Sequence, residues 1–154
     1  MAEGRVLRPQ AVMFACGWNS VRSPMAAAIF RQLFGRRIYV GSAGVRKREV
    51  DPFAIAAMDE IGIDITKHRP HTFEELEDWE GLNFDVIVTL APEAHHKALE
   101  LTHTIAADVE YWPTPDPTTT EGSREQRLDA YRAVRDQLMA RIKERFAWRP
   151  GGNE

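Results

Sequence analysis

The sequence predicts an α/β fold, a three-layer sandwich in which a four-stranded parallel sheet is covered by helices on both faces. Short apolar runs rich in β-branched residues alternate with segments of helical period. Proline or capping-box signals open most of those helices. No linker long enough to divide the chain interrupts the alternation, so residues 1–154 read as one domain. Apolar residues make up 44% of the chain and charged residues 28%, which suffices for a core at ordinary globular composition.

Val12-Met13-Phe14-Ala15 reads as a buried strand running into a turn-like segment. Ser23-Pro24 then opens a helix, with Ser23 as cap and Pro24 at the first helical position. Met25, Ile29 and Leu33 recur at helical spacing as its core-facing stripe, and Gly35 ends it. Ile38-Tyr39-Val40 is the second strand, closed by Gly41-Ser42-Ala43-Gly44. Asp51-Pro52 opens the next helix, striped by Ala54, Met58 and Ile61 and stopped at Gly62. Thr72 with Glu75 forms a capping box for a short helix. Phe84 to Leu90 is the third strand, and Ala91-Pro92 starts the helix after it. Asp108 to Trp112 alternates as a more exposed fourth strand. After a loop rich in Pro and Thr, Ser123 with Gln126 caps a long terminal helix marked by Leu128, Tyr131, Val134, Leu138 and Ile142. Residues 149–154 read as a flexible tail.

Bulk properties narrow the function classes. A net charge of −3 gives no reason to expect a nucleic-acid partner. Arg46-Lys47-Arg48 is the one tight basic group, and such groups are usually solvated loops. No apolar stretch is long enough for a membrane span. A single cysteine, Cys16, rules out an internal disulfide and suits a reducing, cytoplasmic setting. His68 and His71, and the adjacent His95 and His96, lack convincing companions for a metal site, and no cofactor is expected.

In a parallel sheet, ligands gather at the carboxyl ends of the strands. Cys16 sits there, heading Cys16-Gly17-Trp18-Asn19-Ser20-Val21-Arg22-Ser23 between the first strand and the first helix. A loop wrapping into a helix N-terminus aims several backbone N–H groups at one point, and the helix dipole favours an anion there. Arg22, separated from the cysteine by five residues, adds a planar fork for two oxygens of an oxyanion. The same field favours the thiolate, the nucleophilic form of cysteine. A lone cysteine at a strand end is ordinarily a small buried hydrophobe; the arginine spacing and the strand-to-helix setting favour the nucleophile.

Val12-Met13-Phe14-Ala15-Cys16, followed by Asn19, Arg22, Ser23, Pro24 and Met25, resembles the signature of the low-molecular-weight protein-tyrosine phosphatases, which share their fold with one class of arsenate reductases. The resemblance continues at Gly41-Ser42-Ala43-Gly44, His68-Arg69 and Asp116-Pro117. It implies that Cys16 attacks phosphorus to form a phosphocysteine and that Arg22 and the amides of Gly17, Trp18, Asn19, Ser20 and Val21 hold the equatorial oxygens. Asp116 would protonate the leaving oxygen and then activate water, and Ser23 would donate to the thiolate. Asn19 would hold the loop in a left-handed conformation, anchored by Ser42 and His68. Taken alone, Asp116-Pro117 is an ordinary turn signal, Ser42 a turn residue and His68 a surface histidine.

The sequence departs from that family at three places. Trp18 occupies a loop position usually held by glycine, and offers either a stacking face or a mere surface indole. Thr118 follows Pro117 where an aromatic is usual, and Arg46 to Arg48 replace an aromatic beside the site. Selectivity for phosphotyrosine is thereby put in question in favour of a more acidic or non-aromatic ester. Strand and helix segments around Val86–Leu90, Trp112–Pro117 and Tyr131–Asp136 resemble the arsenate reductases more closely, yet alignment sets Ala91 and Ala98 where the thioredoxin-linked enzymes carry their relay cysteines. The leading expectation is a phosphomonoester hydrolase acting on a phosphorylated protein or small phosphoester. The alternatives are an arsenate reductase resolved by an external thiol such as glutathione or mycothiol, or a phosphate-binding module without turnover. A monomer or weak homodimer is expected.

Overall fold

The computed structural model of the chain describes residues 8–103 and 105–147. The tail expected over residues 149–154 lies outside the described residues. Four strands form one sheet: β1 (Ala11–Cys16), β2 (Tyr39–Gly44), β3 (Val86–Thr89) and β4 (Asp108–Tyr111), in the order β2-β1-β3-β4. Every pairing is parallel, so the predicted α/β sandwich on a four-stranded parallel sheet is the fold observed. The strand order switches at β1, with β2 added on one side and β3 on the other, which puts a crevice beyond Cys16.

Alternation along β1 builds two cores. Val12, Phe14 and Cys16 face one layer with residues of α1 (Arg22–Phe34), α2 (Pro52–Asp59) and α5 (Arg124–Phe146). Met13 and Ala15 face the other, with residues of α3 (Phe73–Glu80) and α4 (Pro92–Leu101). Phe30 of α1 packs edge-on against Phe146 of α5, ring centroids 5.0 Å apart. Capping boxes at Thr72/Glu75 and Ser123/Gln126 start α3 and α5 as read from the sequence. Asp51 caps α2 by accepting from the Phe53 amide at 2.8 Å.

Four local expectations are corrected. Helix α1 begins at Arg22 with Val21 as its cap residue, so Ser23 lies inside the first turn and its hydroxyl is free to face the cysteine. Gly41 to Gly44 do not close β2; they are its second half, paired with Met13 to Cys16. Glycine suits both ends of that stretch. A Cβ at Gly41 would stand 3.0 Å from the Phe84 ring, and one at Gly44 only 2.7 Å from the Asn19 amide nitrogen. Leu33 is 40% exposed, because the last turn of α1 projects beyond the core and only Phe34 reaches back to Phe30 and Phe146. Ile61 is also exposed, since α2 stops at Asp59 and the chain turns outward through Gly62 at φ 79°.

Candidate active site

The end of β1 places Cys16 at the bottom of the nest, where it is 2% exposed. Its Sγ is 3.0 Å from the Ser23 hydroxyl and 3.4 Å from the Ser23 amide, both at the first turn of α1. Ser23 receives the Asn19 Nδ2 donor at 2.8 Å, so its own hydrogen is available for the sulfur. Asn19 is fully buried at φ 53°, the left-handed conformation that asparagine tolerates. Its Nδ2 also donates to the Ser42 hydroxyl at 3.0 Å. Its Oδ1 accepts from the His71 amide at 3.0 Å and faces His68 Nε2 at 3.0 Å. His68 Nε2 meets only acceptors at Asn19, the side-chain and main-chain oxygens, so Nε2 carries the hydrogen. A polarised chain results: His68 to Asn19, Asn19 to Ser23, Ser23 to the Cys16 sulfur.

Burial pushes the His68 imidazole down to about 4, outweighing its bond to Asn19. The folded protein thus holds His68 neutral, while the unfolded chain takes up a proton near the ordinary value of about 6.5. Between those values the unfolded state binds more protons, so stability falls as pH falls through that window. His68→Gln keeps a donor and removes the titration. Unfolding free energies from urea titrations at about pH 7 and about pH 5 should therefore separate less in the variant, by roughly 1–3 kcal/mol. Equal separations would show that His68 is not held neutral by the fold.

Other contacts hold the loop. The Gly17 and Trp18 carbonyls accept from the Arg46 and Arg48 amides at 2.8 and 3.3 Å. Ser20 donates its hydroxyl to the Glu49 carbonyl at 2.7 Å and its carbonyl accepts from the Asp51 amide at 3.1 Å. Asp51 in turn accepts from Tyr131 of α5 at 2.9 Å, so the terminal helix braces the nest across 80 residues of sequence. The Val21 carbonyl starts the helical ladder by accepting from the Met25 amide.

Arg22 turns its guanidinium towards the Asp116 loop: it donates to the Thr114 carbonyl at 2.9 Å and stands 4.0 Å from Asp116 Oδ2. Asp116 caps a 3-10 turn over Pro117–Thr119, with Oδ1 accepting from the Thr118 amide and hydroxyl at 3.0 and 2.7 Å. Oδ1 serves the turn, while Oδ2 faces Arg22. Thr118, the departure from the aromatic expected there, fixes that orientation. The Thr114 amide is strapped to the Leu90 carbonyl at 3.2 Å, which ties the acid loop to the end of β3.

Cys16, Arg22 and Asp116 line one hollow together with Ser20, Val21 and Thr118. Its volume is about 10 Å³, close to the minimum for a single water. Trp18 and Arg48 form the outer wall. Trp18 is not a free stacking face, since the Arg46 and Arg48 guanidinium carbons lie 4.9 and 4.7 Å from its ring centroid. Sequence reading treated those arginines as a solvated loop; the amide bonds that fold residues 46–48 back onto Gly17 and Trp18 have no signature in composition. It also missed the Thr114 carbonyl and the His71 amide, whose roles belong to the main chain. Ala91 caps α4 and Ala98 lies within it, both buried. Among the described residues no cluster of three metal-ligating side chains forms, and no helix is long and apolar enough to cross a membrane.

The sequence profile of the low molecular weight phosphotyrosine protein phosphatases matches residues 11–147. An arsenate reductase of Bacillus subtilis is 33% identical over 134 residues, which are 86% of this chain and 92% of that one. A glutaredoxin arsenate reductase of Synechocystis is 34% identical over 137 residues, 88% of this chain and 95% of that one. Among solved structures, an arsenate reductase in the phosphate-binding state superposes with a TM-score of 0.67 at 32% identity, covering 88% of this chain and 95% of the other.

Proposed function

The chain belongs to the low molecular weight phosphotyrosine protein phosphatase family, and from that premise we propose that it is a single-cysteine arsenate reductase resolved by an external thiol. The observation that carries this reading is a nest built around one sulfur, in a chain whose sequence reading expects Ala91 and Ala98 at the relay positions. Its relatives named arsenate reductase support the reading, and one of them is named for glutaredoxin, an external thiol system. They reverse the order of preference that the sequence alone suggests, in which ester hydrolysis comes first.

Arsenate, shaped like phosphate, would sit over Cys16 with Arg22 and the loop amides on its oxygens. The Cys16 sulfur bonds to arsenic as one oxygen leaves as water, carrying a proton from Asp116. An external thiolate then attacks the Cys16 sulfur. A disulfide bond forms, the sulfur–arsenic bond breaks, and its electron pair stays on arsenic, which departs as arsenite. A second thiol attacks the mixed disulfide, releases the external disulfide and restores the Cys16 thiolate. Two thiols lose two electrons and one arsenic gains two; Asp116 regains its proton from solvent. A reducing cytoplasm would supply such thiols and keep Cys16 reduced.

A second reading, phosphomonoester hydrolysis through a phosphocysteine, is favoured by one observation: Asp116 Oδ2 is presented at the hollow, and hydrolysis needs no second thiol. Asp116 would protonate the leaving oxygen and then take a proton from the attacking water. The two are separated by assaying arsenate with glutathione, glutathione reductase and NADPH beside an aryl phosphate without thiol. Arsenate-dependent NADPH oxidation that vanishes in Cys16→Ser supports reduction. Aryl phosphate turnover with no such oxidation, for glutathione or for glutaredoxin added to it, would overturn it in favour of hydrolysis.

A further inference from the structure

We propose that Arg48, stacked on Trp18 at the mouth of the nest, is a specificity-determining residue that receives a second anionic group on the molecule reacting at Cys16. The inference deepens the proposed function and rests on its placement of the oxyanion above Cys16. Three basic side chains lie side by side here, but they are not equivalent. Arg46 pairs with Glu93 at 2.8 Å and Lys47 with Glu75 at 2.6 Å. No carboxylate of the described residues lies within 4.0 Å of the Arg48 guanidinium, whose neighbour is the Trp18 ring at 4.7 Å. Arg48 also lines the same hollow as Cys16, Arg22 and Asp116.

The position is held. The Arg48 amide bonds to the Trp18 carbonyl at 3.3 Å, and the next residue is fastened through its carbonyl to the Ser20 hydroxyl at 2.7 Å. A guanidinium stacked on an indole keeps its in-plane N–H donors directed outward, and that fork matches a carboxylate or a second phosphate bidentately. Trp18 gives the Arg48 guanidinium a ring to rest on, at 4.7 Å from its centroid. Arg22 is committed to the oxyanion and the acid loop, so a second negative group would find Arg48 the cation without a carboxylate partner. Under the reductase reading the group belongs to the thiol, which would be a carboxylate-bearing small thiol. Under the hydrolase reading it belongs to the ester.

The test begins with ligands that need no turnover. Calorimetry compares phenylphosphonate with 4-carboxyphenylphosphonate on the wild type, Arg48→Gln and Arg48→Lys. The carboxylated ligand is expected to bind the wild type about tenfold more tightly, with that advantage lost in Arg48→Gln and partly kept in Arg48→Lys. Because Arg48 lines the hollow, phenylphosphonate itself is expected to weaken in Arg48→Gln, so the readout is the ratio of the two affinities in each protein. Equal affinities of the two ligands for the wild type, or an advantage that survives Arg48→Gln, would overturn the proposal. Failure of phenylphosphonate itself to bind would instead refute the oxyanion nest, and the proposal with it. Two kinetic arms then locate the source: glutathione against 2-mercaptoethanol in arsenate reduction, and 4-carboxyphenyl phosphate against phenyl phosphate in hydrolysis. Arg48→Gln should raise KM for the carboxylated member of the active pair about tenfold, with kcat within about twofold. If neither arm turns over, the reaction assignment fails while the calorimetric result still decides the role of Arg48.

Discussion

Cys16→Ser is expected to lose at least about 10⁴-fold in turnover with every substrate, while binding phosphate within a few-fold of the wild type. Serine keeps the shape of the position and the loop amides around it, but its hydroxyl is far less acidic than a thiol. The Ser23 donor that can steady a thiolate at 3.0 Å has no comparable anion to serve in the variant. Arg22 and the amides of Gly17 to Val21, the proposed seat for the anion, are left in place. Initial rates on arsenate and aryl phosphate, set beside calorimetric phosphate binding, check both halves. Rates near the wild type would remove Cys16 from the chemistry; lost binding would mean that the substitution collapses the loop.

Asp116→Asn is expected to slow turnover by about 10²–10³-fold without a comparable loss of stability. Asparagine can still accept from the Thr118 amide and hydroxyl as Oδ1 does now, so the 3-10 turn stays capped. What disappears is a proton that can be handed to a leaving oxygen. The deficit should therefore grow with the basicity of the leaving group across a series of aryl phosphates, and be large for arsenate, whose leaving oxygen departs as water. A deficit under about tenfold, or one independent of the leaving group, would assign Asp116 to the turn alone. A thermal melt close to the wild type guards against reading loop collapse as lost acid.

How much of this was legible in sequence differs from residue to residue. The strand–loop–helix unit around Cys16 was readable because an apolar run, a helical stripe and an arginine at fixed spacing are local signals. The parallel sheet followed from the alternation of elements. Ser23 was misplaced as a helix cap because Ser-Pro is a strong local cap signal; the family resemblance pointed its hydroxyl at the sulfur, where the fold has it at 3.0 Å. Gly41 to Gly44 were misplaced as a turn because glycine ordinarily breaks strands. Here the Phe84 ring and the backbone at Asn19 leave no space for a side chain, a tertiary condition without a local trace. The mouth was the least legible part. Arg46, Lys47 and Arg48 are alike in kind as sequence, and the positions of Glu93 and Glu75 distinguish them.

The central claim, an oxyanion seat directly above the one thiol, is tested most directly by the alkylation rate of Cys16 with iodoacetamide under increasing arsenate or phosphate. Because the chain has one cysteine, the modified mass reports that residue alone. Saturable protection by both anions, weakened at least about tenfold in Arg22→Ala, is the predicted result. An alkylation rate indifferent to either anion would contradict it.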